Sequence, residues 1–204
     1  TMEFQSRVQG LREKHGDYFL FIGRLVPYKG VDVLLRAMTK VDKKLICIGE
    51  GPRWEIWNEL AEKLGVAERV QFVGRVDDDT EFSAYIEGCQ SLVLPSVDES
   101  EAFGIVLIEA MAHGKPVITT KLRSGVSWVN QAGVTGLEVP PGDPKRLYQA
   151  MEIMANNHQL RKELGEAARK RFHETFELNE MVRGYEAVYD LAIGADQKRK
   201  KKAA

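Results

Sequence analysis

The sequence predicts an α/β fold, a parallel sheet with helices on both faces. Three observations carry that prediction. Short apolar runs alternate with segments of helical period from residue 18 to about residue 140, the signature of stacked βα units. Glycine or proline closes the runs, at Gly23, Gly49, Gly74, Pro95 and Pro140. The chain, at 204 residues with 44% apolar side chains, has the size and composition of an ordinary globular domain. The arrangement is Rossmann-like.

Each element follows from a local pattern. Tyr18–Ile22 reads as the first strand, and Val31, Leu34, Leu35 and Met38 give one apolar helix face at i, i+3, i+4 and i+7. Lys44–Ile48 is the second strand. Trp54, Trp57, Leu60, Ala61 and Leu64 then repeat at helical spacing, which gives both tryptophans a core-packing role. Pro52 suits the first turn of that helix and Gly65 supplies the stop. Residues 70–73 form a third strand, 77–87 a helix, 92–94 a fourth strand, 104–113 a helix and 116–119 a fifth strand. After a loop over 122–136, residues 137–139 make a short sixth strand, and Asp143 is placed to cap the next helix. The remainder is helical. Leu178, Met181, Val182, Tyr185, Val188 and Tyr189 form an apolar stripe that needs a surface to lie against. Residues 197–204 are basic without apolar pattern and read as a solvated, disordered tail.

Composition excludes several function classes. With 29 basic and 30 acidic side chains, the protein lacks the basic excess of a nucleic-acid binder, so any anion must be gripped locally. Cys47 and Cys89 lie in apolar runs without CxxC or Cys/His spacing, which argues for buried thiols, no zinc and an intracellular, cytoplasmic location. No run approaches the ~20 apolar residues of a membrane-spanning helix. Residues 1–17 are too polar for a signal peptide. His15, His158 and His173 show no metal-ligand spacing, and His113, before Gly114, has the place of a helix-end imidazole.

In open α/β sheets the ligand crevice lies beyond the carboxyl ends of the strands, so the residues after each strand matter most. The first strand runs into Gly23-Arg-Leu-Val-Pro-Tyr-Lys-Gly30, where Arg24 offers a planar fork and Lys29 a compact ammonium; together they could hold both phosphates of a diphosphate. The alternative is two solvated loop charges. Gly104, Ile105 and Val106 open a helix whose first amides lack intrahelical partners, a terminus that favours phosphate. Glu101 and Glu109 bracket that start, eight residues apart, over which a helix rises ~12 Å. Two carboxylates acting on one glycosidic bond stand ~5 to 10 Å apart, so this spacing suits one carboxylate at each end of an extended ligand. A nucleotide sugar, with hydroxyls at both ends and a diphosphate between, is such a ligand.

These residues resemble the retaining family-4 glycosyltransferases of the GT-B fold. Glu101-Ala-Phe-Gly-Ile-Val-Leu-Ile-Glu109 matches their E-x7-E motif, including the Phe103-Gly104 pair, and Ala110-Met-Ala-His-Gly-Lys-Pro-Val117 its continuation. Phe21-Ile-Gly-Arg-Leu-Val-Pro-Tyr-Lys-Gly30, Ile48-Gly-Glu-Gly-Pro52, Val70-Gln-Phe-Val-Gly74 and Gly136-Leu-Glu-Val-Pro-Pro-Gly-Asp143 also fit, in the family's order. The turn Arg123-Ser-Gly-Val-Ser-Trp-Val-Asn-Gln131 departs from the family's common Gly-Gly-x-Pro-Glu and is similar to some mannosyltransferases of bacterial surface polysaccharide assembly.

The resemblance implies the donor-binding, C-terminal half of a hexosyltransferase. It implies a linker or hinge at 1–16, a nucleotide-sugar domain at 17–156, C-terminal helices at 157–194 and the basic tail at 195–204. It assigns Arg24 and Lys29 to the donor diphosphate, Glu101 to the transferred sugar, Glu109 to the ribose, and the amides of Ile105 and Val106 to the phosphates. It puts Gly74, Arg75 and Val76 beside the base, with Gly23, Gly49, Phe103 and Gly104 also lining the donor site. The donor is a UDP-, GDP- or ADP-sugar, and no metal or other cofactor is expected. The expected partner is a separate N-terminal acceptor-binding domain, without which the chain is expected to be inactive. The cluster at 198–202 offers contact with an anionic membrane face, at ~1 kcal/mol per residue.

Other readings are another GT-B enzyme, such as a nucleotide-sugar epimerase or a glucan phosphorylase, and a sugar-nucleotide-binding module without chemistry. A dinucleotide-dependent dehydrogenase is disfavoured because the turn after the first strand is not GxGxxG.

Overall fold

The computed structural model describes the backbone of residues 2–203 and the side chains of residues 2–193. The elements run in the order α1 (Met2–His15), β1 (Tyr18–Ile22), α2 (Val31–Met38), β2 (Lys44–Ile48), α3 (Trp54–Lys63), β3 (Val70–Gly74), α4 (Asp79–Gly88), β4 (Ser91–Leu94) and α5 (Ile105–Ala112). They continue with β5 (Val117–Thr120), α6 (Val126–Val129), β6 (Gly136–Val139), α7 (Pro144–Asn156), α8 (His158–Arg171) and α9 (Leu178–Ala203). All strand pairs are parallel, in the order β3-β2-β1-β4-β5-β6. This is the α/β, Rossmann-like parallel sheet that the sequence predicts.

Strands buried on both faces show no polar alternation. Along β1, Phe19 and Phe21 enter one core while Tyr18 and Leu20 enter the other. In β2, Leu45 and Cys47 join the first core, Ile46 and Ile48 the second. The first core is roofed by α2, α3 and α7, through Leu34, Leu35, Trp57, Leu147 and Met151. The second takes Tyr85 and Ile86 of α4, Leu107 and Met111 of α5 and Ala168 of α8. Trp57 is buried and Trp54 tilts against Phe72 at a centroid distance of 5.7 Å, so both tryptophans pack as expected. Both cysteines are free and buried.

Boundaries moved where capping decides them. Pro52 lies in the turn before α3 and not in its first turn. The helix predicted from residue 77 starts at Asp79, because the Asp78 carboxylate accepts the Glu81 N–H at 2.7 Å and fixes the cap there. Asp143 caps α7 as predicted, accepting the Arg146 N–H at 3.0 Å.

Three segments differ more. The stretch at 1–16, read as a linker, holds α1, which lies on α4. Val8 and His15 are buried, Phe4 and Leu11 are partly buried, and polar ties add to them: Arg7 pairs with Asp78 at 3.3 Å and Arg12 donates to the Glu87 carbonyl at 3.2 Å. The seam of Phe4, Val8, Leu11 and His15 follows helical spacing, which the sequence reading passed over. The loop over 122–136 contains the one-turn helix α6, whose Val126 and Val129 are buried. The stripe on α9 is exposed, with Leu178, Tyr185 and Tyr189 all more than 60% accessible. The tail at 195–204, expected to be disordered, continues α9 as far as Ala203.

One glycine fixes how β1 and β4 can meet. Gly30 has φ 66°, and a Cβ there would stand 2.1 Å from the Pro95 carbonyl oxygen. Gly30→Ala is expected to lower unfolding free energy by roughly 2–4 kcal/mol, through strain and overlap together. Denaturant titration checks this, and a loss under about 0.5 kcal/mol would show that the two loops do not touch as described.

Candidate functional site

The order of the sheet places a switch point between β1 and β4, whose onward connections lead to opposite ends of the sheet. At their carboxyl ends the loops at 23–30 and 95–104 face each other. The Val97 N–H donates to the Tyr28 carbonyl at 2.8 Å, and the Thr120 hydroxyl donates to the Ser96 carbonyl. The adjoining strand ends are also stitched: Gly23 N–H donates to Ile48 O at 3.0 Å and Gly49 N–H to Gly74 O at 2.8 Å. A side chain at Gly49 would overlap the Gly23 carbonyl at 2.1 Å. These glycines let three strand ends lie flush and leave backbone at the crevice floor.

The two loops are joined by a buried ion pair. Lys29 Nζ donates to Glu101 Oε2 at 2.5 Å, with both residues under 10% exposed. Lys29 ends a short 3-10 turn, Pro27–Lys29, and its side chain folds back over Gly23, with Nζ 3.5 Å from where a Cβ would stand. Ser96 Oγ donates to the same Glu101 oxygen at 2.9 Å. A charge in this setting needs a partner, since its desolvation costs several kcal/mol otherwise. The pair is therefore a fixed, dry dipole at the mouth of the switch point.

Beside it α5 begins. Gly104 caps the helix with φ 76° and no side-chain hydrogen bond, where a Cβ would overlap Leu94 and Leu107 at 2.9 Å. The amides of Ile105 and Val106, in the first turn, have no intrahelical acceptor and carry the positive end of the helix dipole. No acidic residue stands in that turn. The terminus and the ammonium of Lys29 thus favour an anion between them.

The remaining candidates are spread around this centre. Arg24 is exposed and makes no ion pair among the described residues. It is free to meet a ligand, and nothing orients it. Arg75 is exposed and pairs with Asp77, and Val76 is partly buried against the second core. Glu109, inside α5, is half-buried, and burial pushes its carboxyl above the ordinary glutamate range, partly offset by His113. His113 is at the end of α5 as predicted, but its Nδ1 lies 3.1 Å from Glu87 Oε2, with Lys115 on the other oxygen at 3.4 Å. These groups hold Glu87 below its usual range against the opposing effect of burial.

Sequence reasoning missed Ser96 and Thr120, whose hydroxyls tie the loop after β4. A hydroxyl directly after a strand was the only signal. It singled out Phe103 but missed the aromatic neighbours of that ring. Phe103 and Trp128 are 37% and 53% exposed, with ring centroids 5.9 Å apart, and Phe176 stands edge-on to Trp128 at 5.3 Å. Arg171 lies 5.2 Å from the Trp128 ring and donates to the Trp128 and Val129 carbonyls at 2.6 and 3.1 Å.

Comparison with known proteins bears on family and fold. Residues 2–171 match the family described as "Glycosyl transferases group 1". The chain is 34% identical over 185 residues to O-antigen chain mannosyltransferase C of Escherichia coli, covering 90% of this chain and 49% of that protein. It is 38% identical over 172 residues to D-rhamnosyltransferase WbpZ of Pseudomonas aeruginosa, covering 84% and 45%. The chain thus spans about half the length of these curated relatives. In three dimensions it is similar to Anabaena Alr3699/HepE, solved in complex with UDP, with a TM-score of 0.82, 22% identity, and coverage of 91% of this chain and 52% of that one.

The buried pair gives a direct prediction. Lys29→Met strands the Glu101 carboxylate and is expected to cost roughly 3–5 kcal/mol of stability, whereas Lys29→Met with Glu101→Leu recovers most of it. Equilibrium unfolding of both variants checks this. A single variant within about 1 kcal/mol of the parent would mean the charges are not buried together.

Proposed function

The chain belongs to the glycosyl transferases group 1 family, and from that premise we propose that its switch-point crevice binds a nucleoside diphosphate sugar for retaining hexosyl transfer. The observation that carries the reading is the Lys29–Glu101 pair beside the unsatisfied amides of α5. It joins a cation for phosphate to a carboxylate for sugar hydroxyls within one hydrogen bond.

In this proposal the diphosphate lies between Lys29, Arg24 and the amides of Ile105 and Val106. The ammonium of Lys29 keeps one proton on Glu101 and turns another to a phosphate oxygen, since it carries three donors. Arg24, unconstrained in the free chain, closes on the other phosphate as a planar fork. Glu101, held by Lys29 and Ser96, accepts from a hydroxyl of the transferred sugar. Glu109 accepts from the ribose hydroxyls, and the base lies against Gly74, Arg75 and Val76. The backbone at Gly23, Gly49 and Gly104 admits the ligand closely, with Phe103 at its edge.

Transfer then breaks the bond between the anomeric carbon and the β-phosphate oxygen and forms one to the acceptor oxygen on the same face. A β-phosphate oxygen takes the acceptor proton. The charge gathering on the leaving diphosphate is stabilised by groups already in place, the main way this chain lowers the barrier, and no metal is required. The acceptor is proposed to bind a second domain of a longer protein, in keeping with the span of the relatives.

Calorimetric titration with UDP, GDP and ADP and their sugar conjugates tests the reading. One nucleotide is expected to bind at micromolar to millimolar affinity. Arg24→Ala is expected to weaken it roughly tenfold or more while leaving stability within about 0.5 kcal/mol, because Arg24 is exposed and unpaired. Affinity of the unsubstituted chain should also fall on acidification through the raised Glu109 titration, as the acceptor carboxylate gains a proton, and Glu109→Gln should remove that dependence. Equal affinity of Arg24→Ala and the parent would sink the assignment.

A further inference from the structure

At the opposite edge of the sheet, where the chain enters β1, β4 and β5, lies a hollow of about 510 Å³. Arg12 of α1, Lys115 before β5, and His158, Arg161 and Lys162 of α8 line it, against the one carboxylate of Asp17. The carboxylates nearby do not cancel this charge. Asp17 is exposed and pairs outward with Lys43 at 3.5 Å, and Glu87 is already shared between Lys115 and His113. Lys162 reaches Glu166 only at 3.9 Å on an exposed helix face. With Lys115 balanced by Glu87, and Asp17 counted in full, two positive charges remain uncompensated.

Two features show how the charge is held. His158 stands in the first turn of α8, where the helix dipole disfavours a cation, while the Arg161 guanidinium reaches the last-turn carbonyls of α7, which favour one. Arg161 is also fixed, donating to the carbonyls of Met154 and Ala155, the latter at 2.9 Å, so its charge cannot swing away. Gln90, which lines the same hollow, has both Nε2 and Oε1 buried without a hydrogen-bond partner. Such an amide costs about 1–3 kcal/mol unless something satisfies it. An anion in the hollow would offset the clustered cations, and a turn of the Gln90 side chain into the hollow would let Nε2 donate to it.

We propose that this hollow is a second anion site, separate from the crevice, which takes a phosphate group. The residual positive charge matches a phosphate anion, whether a free phosphate or the singly charged phosphodiester of a lipid, and guanidinium forks suit its oxygens. The phosphate is supplied by a free phosphate or by the headgroup of an anionic lipid, which share this chemistry.

The test uses the full chain, Lys162→Glu and Gln90→Leu, at constant ionic strength in chloride. Inorganic phosphate is titrated calorimetrically, and sedimentation is measured with vesicles of phosphatidylglycerol or of phosphatidylcholine alone. Binding of inorganic phosphate that weakens roughly tenfold or more in both variants, and is unchanged in Arg24→Ala, supports a free-phosphate site. Sedimentation with phosphatidylglycerol vesicles alone, lost in both variants, supports the lipid headgroup. Gln90→Leu removes only an unpartnered amide and keeps the cations, so its loss of binding separates a built site from diffuse attraction. No binding in either arm, or binding that these substitutions leave unchanged, overturns the proposal.

Discussion

A pair of opposite charges buried between two loops is the constraint on which the rest of the crevice depends. Lys29 and Glu101 are 72 residues apart in sequence and 2.5 Å apart in space. Neither could be taken out of water without the other, so the loops after β1 and β4 must close together or not at all. That closure requires Gly30 at the Pro95 carbonyl and Gly49 at the Gly23 carbonyl, because a Cβ at either would hold the strand ends apart. Ser96 and Thr120 then extend the tie to β5. Around that fixed pair, Arg24, Arg75, Phe103 and Ile105 are the exposed candidates.

The same sheet sets up two electrostatically different edges. At the carboxyl edge, α5 points the positive end of its dipole at a dry ion pair, and anion attraction comes mainly from backbone and one ammonium. At the amino edge, the cations come from side chains of α1, α8 and the turn before β5. The parallel order β3-β2-β1-β4-β5-β6 produces this separation, since every helix returns across the sheet and presents opposite ends to its two edges. No helix among the described residues is long and apolar enough to cross a membrane.

Most of the sheet was legible because strands buried on both faces leave unbroken apolar runs: Tyr18–Ile22 and Lys44–Ile48 were read with the bounds they have. Crevice residues were legible because α/β topology puts ligand contacts after strands, which singled out Lys29, Glu101 and Gly104 before their proximity was known. What escaped has equally physical reasons. The seam of α1 is a single row, Phe4, Val8, Leu11 and His15, in an otherwise polar helix, and α6 is too short to show a period. The Lys29–Glu101 contact is a matter of distance in space, which spacing along a chain does not encode. The aromatic group of Phe103, Trp128 and Phe176 joins three separate elements, each of which alone looks like an isolated surface ring.

The most direct measurement is a crystal structure of the chain grown with the nucleoside diphosphate that it binds most tightly. The diphosphate is expected at the switch point, within hydrogen-bond distance of Lys29 Nζ and the amides of Ile105 and Val106, with Arg24 swung onto it and the Lys29–Glu101 contact kept. A nucleotide seated elsewhere, for instance with its phosphates at Lys162 and Arg161, would contradict the assignment of the crevice.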